Sequence, residues 1–528
     1  MDSNLTAGVI SISRYFHTII HLKPIQIFYQ LWYRMKPAYK VPEIHGTSIS
    51  FKSEIYFQNL IPHSSSNHKL SFSFLNLTHS FSERVDWNFS KFGKLWTYHL
   101  NYFDFLLQKD SNLEHSISLL TDFYQNYCNL KDGLEPYPTS LRIINLIKFV
   151  GVYHLNIPLL DKLIALDTKR LEKNLEYHLL ANHLLENAFA LIFTSYYLKD
   201  ERLYQKSKKL LLKELEEQIL NDGAHYERSP MYHLIIFRRL LDLILLLNLN
   251  PWKGKEIQNT LEDFAGKMQS WLTQMTFSNG CLPHFNDSAR NSSLTPLVLN
   301  KYFSSLKIRK QNIALYSSGF RKLSSPEMEC VVNVGNITPA YQPGHAHADS
   351  LSFVMNIRNK PFIVDTGIST YEKNKRRHSE RSTAAHNTVT IKGENSSDVW
   401  SGFRVGKRAN TRIIIASDDH IQAEHDGFKK FNIIHRRSWI KEIGSMRIID
   451  LLRDSKIRGC ATLHFHPDIS IEKVEKKRIL FDGACIELST DQFKIEDYQF
   501  ASAFNQLITA KCIKVTFSNK LETLVNWN

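Results

Sequence analysis

Gly344-His345-Ala346-His347-Ala348-Asp349-Ser350-Leu351-Ser352-Phe353 is the stretch around which this chain is read. Two imidazoles sit two residues apart at the entrance to a strand, so in extended backbone they share a face. Downstream, Asp365 stands in the turn Val364-Asp365-Thr366-Gly367, and His386 stands in Ala385-His386-Asn387-Thr388-Val389. Two histidines and a carboxylate make an N/O ligand set suited to zinc, with the other imidazole of the pair left for proton transfer. The blander alternative gives one histidine to metal or catalysis and the other to hydrogen bonding. All four residues fall at strand ends, which weights the reading towards a site.

The texture of the chain changes on either side of this stretch. After about residue 312, short β-rich runs appear at 329–334, 351–357, 361–364, 388–391, 411–416, 461–466 and 514–517, separated by Asp, Asn, Gly and Lys turns. They predict an antiparallel sandwich. From about 100 to 305, apolar residues recur at three- and four-residue steps, as in Leu234, Phe237, Leu241, Ile244 and Leu245. Asp132-Gly133, Asn156-Ile157-Pro158, Asn221-Asp222-Gly223 and Asn250-Pro251 break this stretch into serial helices, which predict hairpins stacked in an arc or ring. The expected organisation is a lead-in over 1–95, a helical domain over 96–310 and a β domain over 311–528. Ionisable residues in both halves place a cleft between them.

The helical half carries polar clusters of its own. Asn182, His183, Glu186 and Asn187 fall at i, i+1, i+4 and i+5 and share one helix face. Four polar groups there are costly to bury unless they bond something, whether a ligand or a neighbouring helix. In the run 222–233, Ser229 is placed as an N-cap and Pro230 at the first helical position, so Tyr232 projects from the first turn. A tyrosine held near cations loses its proton more easily and can serve as acid or base. Equally, Tyr232 can be an amphipathic residue at a helix start. Trp96, Tyr98, His99, Asn101 and Tyr102 form a third cluster, and Pro136, Tyr137, Pro138 and Arg142 a fourth. Aromatic planes stack on sugar rings, and a guanidinium forks onto carboxylate or sulfate. Taken singly, each of these aromatics reads as packing.

Bulk properties narrow the classes. At 528 residues the chain exceeds one ordinary core. A net charge of +14 favours polyanions, whether nucleic acid, an anionic membrane or an acidic polysaccharide. The cations are dispersed and no nucleic-acid motif accompanies them, so nucleic acid is not expected. Six cysteines lie far apart with no CxxC pair, which argues against a disulfide framework or a thiolate zinc site. Residues 1–35 carry no clean signal peptide, since Arg14, His17, His21, Lys23 and Pro24 interrupt the apolar stretches. The run 234–249 is too short and too charged for a transmembrane span. A cytoplasmic location is therefore expected, and nothing in the sequence reads on oligomeric state.

Taken in order, the stretches 96–102, 136–142, 181–188, 222–233, 344–353, 361–367 and 386–388 resemble the heparinase II/III-like polysaccharide lyases, a family that also holds alginate and oligoalginate lyases. The resemblance covers roughly residues 90 to 390. It implies an α+β multidomain chain with an incomplete (α/α) toroid followed by an antiparallel β-sandwich. It also implies β-elimination at a uronic acid of an acidic polysaccharide, and the expected lack of export points to a cytoplasmic lyase or to one within bacterial surface-polymer metabolism. By resemblance, Asn182 and His183 hold and neutralise the uronate carboxylate, Tyr232 is the catalytic acid and also a candidate base, and His345 assists proton transfer. His347, Asp365 and His386 are the implied ligands of a mainly structural zinc. Arg142, Glu186, Tyr98 and Tyr226 are implied to touch substrate, and Tyr226, six residues before Tyr232, is a second candidate for the catalytic tyrosine. Members acting on external polymer are usually exported, unlike the location expected here.

Two rival readings use the same residues. A metallo-hydrolase would use His345-x-His347-x-Asp349, but the related motif has a histidine directly after the aspartate, and here Ser350 follows. A non-catalytic binder of acidic glycans shares the charge and the aromatics and needs neither Tyr232 nor His345.

Overall fold

The computed structural model describes residues 12–37, 54–253, 255–290, 295–453 and 457–527. The first 11 residues of the N-terminal stretch read above lie outside them. Among the described residues the helices run α1 (Pro24–Met35), α2 (Lys94–Tyr102), α3 (Leu113–Asn126), α4 (Pro136–Tyr153), α5 (Pro158–Lys173), α6 (Ala181–Leu198), α7 (Glu201–Gln218), α8 (Pro230–Leu249), α9 (Gln258–Met275) and α10 (Pro296–Ser305).

Sequence pattern explains their layering. In α7, Leu203, Tyr204, Leu210, Leu211 and Leu215 make one buried stripe and the remaining face is charged. In α8 the expected stripe is present, but Ile236, Leu240, Leu243 and Leu246 are buried as well, so the helix is enclosed on nearly all sides. Helices α4 and α6 are enclosed in the same way. The even-numbered helices α2, α4, α6, α8 and α10 touch in series, while α5, α7 and α9 pack beside their chain neighbours. Each fully buried leucine in such a layer contributes about 1.5–3 kcal/mol.

The strand-rich half begins with Phe320–Ser324 and is antiparallel throughout. An eight-stranded sheet runs from Thr411–Ala416 at one edge to Ile471–Val474 at the other. Phe493–Ala503, Gln506–Phe517, Gly459–His464 and Val389–Ile391 form one four-stranded sheet, and Phe320–Ser324, Met328–Asn333, Phe353–Ile357 and Lys360–Ile363 form another. The three sheets share one core, to which Val332, Phe353, Trp439, Met446, Ile486, Ile513 and Val515 contribute. Met328–Asn333 is buried at every position because its two faces serve different cores. Cys330 and Val332 face the sheets, whereas Val331 joins the helical core with Phe320 and Val354. This sheet is the surface on which the two halves meet.

Some strand bounds moved little from expectation, while 514–517 proves to be the end of the longer strand Gln506–Phe517, and His420–His425, His435–Glu442, Ser445–Leu452, Phe493–Ala503 and Lys520–Asn526 were not among the expected runs. The run 411–416 is Thr411–Ala416, and 329–334 is Met328–Asn333. The reading of 344–353 as the entrance to a strand shifts: the strand starts only at Phe353, and residues 344–351 are loop and turn. A small sheet over Asn67–His68, Ser71–Phe74 and Leu77–Ser80, which the sequence reading did not single out, brings Leu75 in its second turn to the cavity lining. No described helix is long and apolar enough to cross a membrane.

Candidate active site

A cavity of about 600 Å³ opens between the halves. Tyr98, Tyr137, Asn182, His183, Tyr232 and Arg239 reach it from the helical side, and Gly344, His345, Tyr371 and Phe403 from the strand-rich side.

Tyr232 is placed by local sequence. Pro230 starts α8, and the Ser229 hydroxyl accepts from the Tyr232 amide at 3.2 Å, the expected cap. The phenol ring lies on the His345 imidazole, with centroids 3.9 Å apart and planes at 30°. Its hydroxyl oxygen is 3.4 Å from that of Tyr371. Burial pushes the Tyr232 pKa well above the ordinary phenol value, and Tyr371, Asp287 and Glu227 push in the same direction. The expected cationic activation is thus reversed: burial, Tyr371 and the Asp287 and Glu227 carboxylates all favour the protonated phenol.

His345 is held from behind by Asp287, a residue the sequence reading missed. Asp287 is fully buried and spends one oxygen on His345 Nδ1 at 2.9 Å and the other on His347 Nε2 at 2.8 Å. Arg377 caps the same carboxylate, with Nη2 donating at 2.6 Å. Burial alone would raise the Asp287 pKa, but Arg377 and the two histidines outweigh it and hold the carboxyl well below its usual range. An ionised Asp287 is an acceptor only. A neutral His345 therefore carries its proton on Nδ1 and keeps a lone pair on Nε2.

Asn182 and His183 open α6 on the opposite wall. The Asn182 side-chain amide donates to both oxygens of Glu227, at 2.9 and 3.0 Å, and its backbone amide also donates to Glu227. Glu227 lines the cavity and lies 3.7 Å from His345 Nε2. Burial raises the Glu227 pKa, yet His345, His225 and Asn182 outweigh it and the net shift is downward. His183 Nδ1 is 3.0 Å from Glu176, and its ring is 4.7 Å from that of Tyr137. Burial pulls the His183 pKa down, but Glu176, Glu227 and Glu186 outweigh it and raise it overall.

Several expected substrate contacts lie elsewhere. Arg142 is fully buried in a fork onto Asp167, with Nε to Oδ2 at 2.7 Å and Nη2 to Oδ1 at 2.9 Å, and does not line the cavity. Glu186 is also fully buried and accepts from Arg239 Nε at 2.8 Å, so Arg239 faces the cavity and Glu186 positions it. Asn187 completes an interhelical network through Ser140 and Glu176. The polar face of α6 thus divides, its first two residues facing the cavity and its later ones bonding neighbours. Tyr98 does line the cavity. Tyr226 does not: it is buried with its hydroxyl 2.9 Å from that of Tyr341. Tyr226→Phe is therefore expected to cost about 0.5–1.5 kcal/mol of stability and to leave turnover nearly unchanged. Steady-state kinetics beside a thermal melt would check this, and a collapse of kcat would return Tyr226 to candidacy.

His347, Asp365 and His386 lie together behind the wall. His386 Nδ1 is 2.7 Å from Asp365 Oδ2, and the rings of His347 and His386 are 5.2 Å apart. As placed, no group of three or more His, Cys, Asp or Glu among the described residues converges tightly enough to hold a metal ion. The Asp365 carboxylate is engaged, one oxygen with His386 and the other with the Gly367 amide. His347 Nδ1 and His386 Nε2, however, are buried without any hydrogen-bond partner. Two orphaned imidazole nitrogens beside a carboxylate fit the donor chemistry of zinc.

Known families resolve the chain's ancestry. The Heparinase II/III N-terminus family matches residues 161–312, and the Heparinase II/III-like, C-terminal family matches residues 308–527. The chain belongs to the heparinase II/III-like family. A heparin-sulfate lyase of Bacteroides stercoris is 24% identical to this family member over 324 residues, 55% of this chain and 46% of that protein. The chain thus spans about half the length of that curated relative. Among solved structures, heparinase III is similar with a TM-score of 0.68 at 15% identity, covering 95% of this chain and 91% of that one. A heparan sulfate lyase from Pedobacter heparinus reaches 0.53 at 15% identity, covering 87% and 81%. At such identity these likenesses establish the fold that this heparinase II/III-like chain shares.

Proposed function

We propose that this protein is a polysaccharide lyase that cleaves a uronic-acid-containing acidic glycan by β-elimination, on a helical half read as an incomplete (α/α) toroid. The observation that carries the reading is the stacking of Tyr232 on His345 in a cavity whose opposite wall presents Asn182 and His183. Heparin and heparan sulfate, named for the relatives, are the first substrates to consider.

The C5 proton of a uronate is barely acidic, and its removal builds an enolate-like dianion. His183, its pKa raised by the surrounding carboxylates, supplies positive charge beside the substrate carboxylate, and Asn182 is fixed there by Glu227. His345 Nε2 takes the C5 proton. The C5–H electrons form the C4–C5 double bond, the C4–O bond breaks, and Tyr232 donates its proton to the leaving oxygen. The resulting imidazolium and phenolate then exchange a proton, which restores both groups. Aromatic rings at Tyr98, Tyr137 and Phe403 offer faces to sugar rings.

Ultraviolet absorbance during incubation with heparin, heparan sulfate, hyaluronan, chondroitin sulfate and alginate tests this reading. Each cut creates a conjugated 4,5-unsaturated uronate, so absorbance climbs with turnover. A flat trace with tight glycan binding would replace the lyase with the glycan-binding reading.

We also propose a structural zinc held by His347, His386 and Asp365, supported by the two orphaned imidazole nitrogens. When bound it supplies a crosslink among the loops behind His345, with Asp287 as the outer partner of His347. Chelation is expected to lower the melting temperature, and readdition of zinc to restore it. Metal analysis that finds no zinc in protein with an unaltered melt would remove the metal from this picture.

A further inference from the structure

Residues 12–35 form a strap laid across both halves at the rim of the cavity. Its inner side is bonded throughout. Gln26, buried within α1, donates through Nε2 to the carbonyls of Leu179 at 3.2 Å and Tyr341 at 3.3 Å. Leu179 and Gln342, the neighbour of Tyr341, line the cavity. Tyr29 stacks on Tyr177 with centroids 4.7 Å apart. Ahead of α1, residues 12–19 are helical and reach the strand-rich half. There Tyr15 meets Trp400 edge-on at 4.9 Å, and Trp400 Nε1 donates to the Thr18 hydroxyl at 3.2 Å.

Among the described residues the outer side has no such partners. Phe16, Ile19, Ile20, Phe28, Leu31 and Met35 are between 50% and 74% exposed. Their spacing of three and four residues puts an apolar face on each of the two helical segments. Large apolar side chains grouped in this way on a surface mark a docking site. The charged residues of this stretch of sequence have one sign. Between Asp2 and Glu43 the sequence holds no acidic residue, and Arg14, Lys23, Arg34, Lys36 and Lys40 contribute five cations. The acids of the body that the strap meets are already paired, Asp398 with Arg14 and Glu217 with Lys23. Arg34 stands exposed in the last turn of α1, next to the exposed Met35.

We propose that this outer face docks on an anionic lipid bilayer, holding the rim of the cavity at the membrane. Aromatic and aliphatic side chains on one face, with the exposed cation Arg34 among them and no acid in the strap itself, match the headgroup boundary of an anionic leaflet. A second copy of the chain is a poorer occupant, because self-pairing would bring together two straps whose own charged residues are all cations. The proposal stands on the strap alone and does not depend on the lyase reading.

Flotation of the full-length protein with vesicles tests it, using phosphatidylcholine alone and phosphatidylcholine mixed with phosphatidylglycerol. The protein is expected to float with the mixed vesicles, to do so less at higher salt, and to stay behind with phosphatidylcholine alone. Phe28→Ser and Leu31→Ser, both at exposed positions, are expected to weaken binding by roughly tenfold per side chain without altering the thermal melt. Arg34→Glu should weaken it as well. Failure to float with the mixed vesicles would overturn the proposal, as would equal binding to phosphatidylcholine alone. If wild type instead sediments as a dimer that Phe28→Ser dissociates, with no vesicle binding, the face belongs to a contact between copies and the lipid reading falls.

Discussion

Tyr232→Phe is expected to lower kcat/KM for β-elimination by roughly a thousandfold, within the range that general acid catalysis supplies. The substitution keeps the ring on His345 and removes only the proton donor, so KM and stability should change little. Because burial, Tyr371 and the Asp287 and Glu227 carboxylates hold the phenol pKa well above its ordinary value, the donor is intact throughout the neutral range. An alkaline fall in kcat/KM near neutrality would then belong to another group. The measurement is the rate of absorbance increase on whichever glycan the panel identifies. A Tyr232→Phe variant within a few-fold of wild type would sink the assignment of Tyr232 as the acid and with it the mechanism proposed above.

Asp287→Asn should have the second large effect, on both stability and turnover. Asp287 is the counter-ion of Arg377 and the shared hydrogen-bond acceptor of His345 and His347, with no exposure to solvent. Removing one member of a buried charge pair leaves the other uncompensated, at a cost of about 3–5 kcal/mol. Denaturant unfolding of the variant against wild type would read that loss. The pH dependence has a definite sign. The folded pKa of Asp287 is depressed, so its stabilisation is present above the unfolded carboxylate value, about 3.9. It is lost as pH falls through the lower folded value. Wild type should therefore keep this clamp at mildly acidic pH, while the variant lacks it at every pH. An amide at this position can also donate to Nδ1 and so permit the wrong imidazole tautomer, which should lower kcat more than it raises KM. Unchanged stability would mean that Arg377 finds another acceptor and that the clamp described here is not what orders the wall.

How much of this was legible beforehand differs from residue to residue. Ser229-Pro230 marked the start of α8 because capping is settled by side chains within one turn of the backbone they satisfy. The run 411–416 was legible as a strand for a similarly local reason, β-branched residues between turn formers. Tyr98, Asn182, His183, Tyr232 and His345 were singled out by residue type and order, and all five line the cavity. Arg142 and Glu186 were assigned to the substrate by the same kind of reasoning, yet each is consumed by a partner, Asp167 25 positions away and Arg239 53 positions away. A guanidinium facing a glycan and one facing a buried aspartate look alike in sequence. Asp287 gave no usable signal, since Asn286-Asp287-Ser288 reads as ordinary turn chemistry, and its partners His345, His347 and Arg377 lie 58, 60 and 90 positions on.

What the sequence by itself determined was therefore local and additive: the type of the strongly periodic segments such as α8 and Thr411–Ala416, and which side chains have the chemistry for proton transfer. Those properties follow from periodicity, capping and pKa class, which act over a few residues. Only the tertiary structure decided which polar groups face the cavity and which are spent on one another. A buried charge must find its counter-charge wherever the fold brings one within about 3 Å. It also decided the direction in which the Tyr232 pKa moves, because burial, Tyr371 and carboxylates from the helical half and from the loop that meets the strands all come from elsewhere in the chain.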